Sequence, residues 1–158
     1  MKTRDLARAG IVAALYFALT VVFKPISYGP IQFRIAEILN MLAFYNPVFA
    51  PGVILGVFLS NLSSPLGWID LLFGTLHTAI SLYAMTRTKK LVMASLWPAI
   101  FSFIIGFALM LYFGGGMKGF ITMTLSVMLS ELVIVTFISV PIYKYLEKKT
   151  IFKKYVLP

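Results

Sequence analysis

Apolar residues run along this chain in six blocks, each closed by a short break rich in polar residues, proline or glycine. The blocks cover about residues 7–23, 35–45, 47–62, 68–85, 91–113 and 120–143. Runs of this kind predict helices that are apolar all round, as in a bilayer, and not the one-sided stripe of a soluble helix. A helix needs about 20 apolar residues to cross roughly 30 Å of hydrocarbon. The first block and the last three approach or exceed that length. The second and third fall short, and Asn46, Pro47 and Pro51 interrupt the region between them. These two are therefore either two short spans or one long, broken span.

The placement of charge decides between six crossings and five. Six crossings put on one side both termini, the Asn46 turn and the turn at residues 87–90. That side then holds Lys2, Arg4, Arg8, Arg87, Lys89, Lys90, Lys144, Lys148, Lys149, Lys153 and Lys154, eleven of the fourteen basic residues. Only Lys24, Arg34 and Lys118 fall on the other side. Basic residues favour the cytoplasmic side of a membrane protein, whereas five crossings would put the two basic termini on opposite faces. The expectation is six spans with both ends cytoplasmic.

Composition agrees. Of 158 residues, 60% are hydrophobic and 12% charged, against roughly 45–50% apolar and about 25% charged in soluble domains. A soluble fold of this length has no interior for so much hydrocarbon, so residues 1–158 are read as a single integral membrane domain. The net charge of +9 raises nucleic acid as a partner. However, the basic residues collect at the ends of apolar blocks and form no stripe interleaved with aromatics, so no nucleic acid is expected. There is no cysteine, hence no disulfide and no thiolate chemistry. The basic start and apolar run at the N-terminus superficially resemble a signal peptide. Lys24-Pro25 follows in place of a small-residue cleavage site, so the run is read as a retained first span.

Small residues four apart let membrane helices approach closely. The third block has Gly52, Gly56 and Ser60, read as packing within the chain. The first has Ala9-x-x-x-Ala13, with Gly10 and Ala14 beside them, and from the residues alone an internal and an external partner stand equal. Pro98 and Pro141 each free a backbone carbonyl and are expected to kink their helices. The run Gly114-Gly115-Gly116 is read as a flexible loop between the last two spans.

The chemistry rests on polar residues in apolar surroundings. A charge at the bilayer centre costs about 2.5–3.5 kcal/mol on insertion scales, so it usually faces a partner or a cavity. Of five acids, Asp5 and Glu147 sit among basic residues near the ends, where solvation suffices. Glu37 and Asp70 open the second and fourth blocks on the outer side. Glu131 lies roughly 16 Å into the last block, near the midplane. Asp70, Gly74 and His77 share one helix face by their spacing, with Gly74 leaving room for a flat molecule. Arg34, Glu37, Asn61, Trp68, Asp70 and His77 are thus placed in the outer half with Glu131 as a floor, a few polar groups converging as a small-molecule site requires. Most have a plainer reading: Arg34 pairing with Glu37, Asp70 capping its helix, His77 packing against a satisfied partner, and Trp68 anchoring at the interface; Glu131 is the hardest to explain in this way. One histidine and scattered acids make no metal ligand set. No Walker lysine is present, so nucleotide hydrolysis would belong to another chain.

The run Tyr28-Gly29-Pro30-Ile31-Gln32-Phe33-Arg34-Ile35-Ala36-Glu37, then Asn61, then Gly67-Trp68-Ile69-Asp70-Leu71-Leu72-Phe73-Gly74-Thr75-Leu76 resembles the QueT family. These are substrate-binding S components of energy-coupling factor transporters. The resemblance implies a six-helix S-component bundle in a bacterial cell membrane, with no catalytic residue and no cofactor in this chain. It further implies capture of a vitamin-like compound from outside and docking on a transmembrane coupling protein with two cytoplasmic ATPases. Ala9 and Ala13 match the small-residue motif that packs against the coupling protein. The implied cargo is a queuosine precursor, a 7-deazaguanine such as the 7-aminomethyl form. Such a ring presents a paired N–H edge suited to a carboxylate, its aminomethyl group suits a second carboxylate, and Trp68, Tyr28 or Phe33 are candidates to stack on it. A wrong ligand would leave buried polar groups unpaired. Residues 28–33 are expected to form a lid, with Arg34 and Glu37 at its hinge end.

Three other readings stay open. One is a self-sufficient proton-coupled carrier using Glu131 and His77, although the inverted repeats that often mark carriers are not seen. The others are an S component for a different vitamin and a purely structural subunit.

Overall fold

A computed structural model describes residues 3–28 and 32–157, and every regular element in it is helical. The first block forms α1, Thr3–Val22, followed by a single turn at Lys24–Ser27 where Pro25 occupies a first-turn position. Such a position costs proline nothing, because its missing N–H has no helical partner there. The second block, α2, Ile35–Tyr45, begins as a 3-10 helix over Ile35–Asn40 and relaxes to α from Met41. Asn46 then breaks the helix: its backbone is extended and its side chain accepts from the Val48 N–H at 3.1 Å. The third block, α3, is Pro47–Asn61, and the fourth, α4, is Trp68–Thr86.

The last two blocks depart from straight spans. In α5, Leu91–Phe113, the helix is interrupted at Leu96 and again at Phe101 and Ser102. Pro98 removes one ladder donor, and Ser102 N–H bonds Ala99 in place of Pro98. In α6, Gly116–Leu146, residues Leu132–Ile138 widen into a π-helix directly after Glu131. The disturbance anticipated at Pro141 therefore lies one to two turns upstream of it. A further short helix, α7, Thr150–Tyr155, follows beyond the last block.

Among the described residues, three helices are long and apolar enough to cross a membrane: α1, α5 and α6. Helices α2 and α3 are apolar but short. The exteriors of α1, α3, α5 and α6 carry Leu15, Val22, Leu55, Phe107, Leu129 and Phe137, all well exposed, as expected of a surface solvated by lipid.

Helix α1 packs chiefly on α3, and α5 on α6. The first of these contacts corrects an expectation. Ala9 and Ala13 face inward: a Cβ on Gly52 would collide with the Ala9 carbonyl, and one on Gly56 would lie 2.6 Å from the Tyr16 Cβ and 3.0 Å from the Ala13 carbonyl. Both alanines are buried in the contact with α3, so they do not offer a surface to an outside helix. Two small-residue runs, one on each helix, bring the backbones together by van der Waals packing.

Candidate functional site

Where α1 to α6 meet, the interior is polar. Arg34, Glu37, Asn40, Asn61, Asp70, His77 and Glu131 are all buried, joined by Gln32 and by the ring of Tyr16. They are delivered by several elements. The stretch at residues 32–34 enters with Gln32 at φ 47°, a left-handed conformation unfavourable for a residue with a side chain. It turns Arg34 inward, 5% exposed, with its guanidinium 5.3 Å above the Tyr28 ring. The Tyr28 hydroxyl donates to the Ser60 carbonyl at 2.6 Å, tying the strap to the end of α3. Helix α2, packed by its first turns against the π segment of α6, carries Glu37 and Asn40.

The ion pair lies between elements and not within one. Arg34 Nη2 stands 3.6 Å from Asp70 Oδ2 on α4, so Arg34 does not form the local pair with Glu37 that their spacing allows. Glu37 has other partners: the Tyr16 hydroxyl donates to Oε1 and the Asn40 amide to Oε2. Asp70 is not the helix cap, a place taken by Gly67; it sits in the first turn, 1% exposed. The Asn61 amide donates to the Asp70 carbonyl at 3.1 Å. The space over Gly74 is occupied by that same amide, since a Cβ there would lie 2.6 Å from Asn61 Nδ2 and 3.2 Å from Asp70 Oδ1. Gly74 thus makes room for Asn61, and the open slot expected between Asp70 and His77 is filled by protein. His77 donates from Nε2 to the Pro98 carbonyl at 2.9 Å, an acceptor shared with the Ser102 hydroxyl. That carbonyl is the one the helix break released, so the plainer reading of His77 applies to this nitrogen.

Glu131 is the deep acid, 7% exposed and close enough to Glu37 and Arg34 to interact electrostatically with both. Two of the expected residues stay outside the cluster. Trp68 is 66% exposed and lines an apolar groove of about 540 Å³ on the outside of α3 and α4, with Phe58 and Leu72. Phe33 is partly buried against the apolar core. Gly29, Pro30 and Ile31, the centre of the expected lid, lie outside the described residues.

The polar interior is only partly satisfied. Buried atoms without a hydrogen-bond partner include the donors Gln32 Nε2, Arg34 Nε and Arg34 Nη2, and the acceptors Asn40 Oδ1, Asn61 Oδ1, Asp70 Oδ2 and Glu131 Oε2. A buried polar group left unpaired costs about 1–3 kcal/mol, so such a concentration is not a stabilising device. Tyr16, Gln32 and Asn40 were not legible as members of this buried cluster. A tyrosine in an apolar run and uncharged amides beside a turn give little signal, although the i, i+3 spacing of Glu37 and Asn40 puts them on one helix face.

The QueT transporter family model matches residues 6–148. The chain is similar to the queuosine precursor transporter QueT of Lactococcus lactis subsp. cremoris (strain MG1363), 45% identical over 83 residues. That match takes in 51% of this chain and 48% of the relative, so it spans about half the length of the curated protein. No solved structure matches the chain.

Proposed function

The chain belongs to the QueT transporter family, and on that premise we propose that it is the substrate-capture subunit of an ATP-driven importer, with a 7-deazaguanine precursor of queuosine as cargo. The observation that carries this reading is the set of buried donors and acceptors without hydrogen-bond partners around Arg34, Asp70 and Glu131, of which Arg34 Nη2 and Asp70 Oδ2 face each other as an ion pair. A 7-deazaguanine is flat and carries both kinds of group. Its ring N–H and exocyclic amine would donate to Asp70, whose charge Arg34 already balances. Its ring carbonyl would accept from Arg34 or Gln32. An aminomethyl cation would sit against Glu131. Glu37, with both oxygens engaged, holds the site together and does not bind cargo directly.

The same proposal carries six spans with both termini cytoplasmic, supported by the eleven-to-three distribution of basic residues. It also carries a transmembrane coupling protein and two ATPase subunits as partners, with no ATP site on this chain. Because Ala9 and Ala13 are consumed internally, the face of α1 offered to the coupling protein is the neighbouring one. Gly10, Ala14 and Ala18 are exposed there at four-residue intervals, and a Cβ on Gly10 meets no other atom. Tyr28, pinned to Ser60, and the strap at residues 32–34 close over the cargo.

Mass spectrometry of small molecules released from the purified protein, followed by titration calorimetry, tests the substrate class. Tight binding of 7-aminomethyl-7-deazaguanine by the isolated chain is expected. Failure of all guanine-like compounds alongside tight binding of another vitamin would remove the cargo assignment.

A further inference from the structure

At the end of the molecule where α1 begins and α7 lies, two cavities adjoin. One, of about 690 Å³, is lined by Thr3, Arg4, Asp5 and Arg8 of α1 and by Lys153, Lys154 and Leu157 from the C-terminal segment. Four cations thus face one carboxylate. The other, of about 260 Å³, is lined by Arg8, Ile11, Val12, Leu42, Phe49, Tyr155 and Val156, and is otherwise apolar. Arg8 lines both, so a basic pocket and an apolar groove along α1 adjoin at its side chain.

The pocket is built and not the accident of a loose tail. Phe152 is buried, with its ring edge-on to Tyr45 at 5.1 Å and to Tyr143 at 6.0 Å. The Asn46 amide donates to the Val156 carbonyl at 3.0 Å. These contacts hold α7 against the bundle with Lys153 and Lys154 at the pocket, while Ile151 and Tyr155 remain exposed beside them. Nothing in cargo recognition uses these residues.

We propose that this paired cavity binds one anionic phospholipid, its phosphate among Arg4, Arg8, Lys153 and Lys154 and the start of an acyl chain in the groove beside Ile11 and Tyr155. Basic side chains clustered next to a membrane span attract acidic lipid headgroups, and the apolar groove selects an amphiphile over a free anion. The positive end of the 20-residue α1 adds to the attraction. A lipid seated there would join the first helix to the last through a molecule of the bilayer.

Native mass spectrometry of the full-length protein, titrated in detergent with dioleoylphosphatidylglycerol or dioleoylphosphatidylcholine, tests this. One phosphatidylglycerol is expected to be retained per chain, at least tenfold more tightly than phosphatidylcholine. Replacing Arg8, Lys153 and Lys154 together by Gln is expected to abolish that preference, since each basic residue near a membrane surface is worth about fivefold in binding. Replacing Lys144, Lys148 and Lys149 by Gln, an equal loss of charge at residues that do not line the cavity, is expected to leave it intact. Equal retention of the two lipids, or equal loss in both triple variants, would overturn the proposal. Displacement of the lipid by millimolar glycerol 3-phosphate would also overturn it, by showing that the groove contributes nothing.

Discussion

At the residue scale, the buried acids differ in what satisfies them. Glu37 accepts from Tyr16 and Asn40, whereas Asp70 Oδ2 and Glu131 Oε2 lack hydrogen-bond partners. Glu131→Gln is therefore expected to weaken binding of 7-aminomethyl-7-deazaguanine at least tenfold by calorimetry while sparing the 7-cyano analogue, which has no cation. Asp70→Asn should weaken both. Glu147→Gln should change neither, because the Tyr45 hydroxyl that donates to Glu147 keeps an acceptor; equal losses in Glu131→Gln and Glu147→Gln would remove the deep acid from the site. Glu37→Gln leaves one carbonyl oxygen where two carboxylate oxygens accept from Tyr16 and Asn40, so one of these buried donors loses its acceptor. It should cost about 1–3 kcal/mol of stability, read as a lower thermal midpoint even without ligand. The charged members of this buried cluster were legible because a carboxylate in an apolar run is expensive and stands out. Gln32, Asn40 and Tyr16 were not, because their roles depend on which side chain lies opposite, and spacing along the chain does not carry that.

At the scale of elements, the contact of α1 with α3 is the joint that depends most on small side chains. Gly52→Leu would drive a side chain into the Ala9 backbone. Overpacking of this kind costs about 1–3 kcal/mol or more, and a loss of monodisperse protein in size-exclusion chromatography is expected. Gly10→Leu, on the open face of the same helix, should leave the isolated chain and its ligand affinity unchanged and reduce co-purification with the coupling protein. If Gly10→Leu has no effect on that complex, the partner docks elsewhere. The blocks of the sequence located α1 to α6 to within a few residues at most ends. The two breaks in α5 and the π segment of α6 were less legible: a proline marks a strained helix but not where the strain is released.

For the whole molecule, the reading as a capture subunit separates from a self-sufficient carrier in energised cells. Uptake is expected to persist when an ionophore collapses the proton gradient and to stop when ATP is depleted. The opposite pattern would favour a carrier built on Glu131. His77 is poorly placed for that role, since its Nε2 is committed to the Pro98 carbonyl.

The sequence by itself determined that the chain is helical, apolar enough for a membrane and charged at its block ends, because hydrocarbon content and charge position are properties of composition and order. It also singled out Arg34, Asp70 and Glu131, whose burial demands a reason. Only the tertiary structure decided which of two adjacent small-residue faces of α1 turns inward. Both faces are apolar and both present small side chains, and only the glycines of α3 distinguish them. It likewise decided that Arg34 reaches across to Asp70 and that Asn61 fills the space over Gly74. Partners between helices are chosen by packing in three dimensions, which a one-dimensional spacing does not encode.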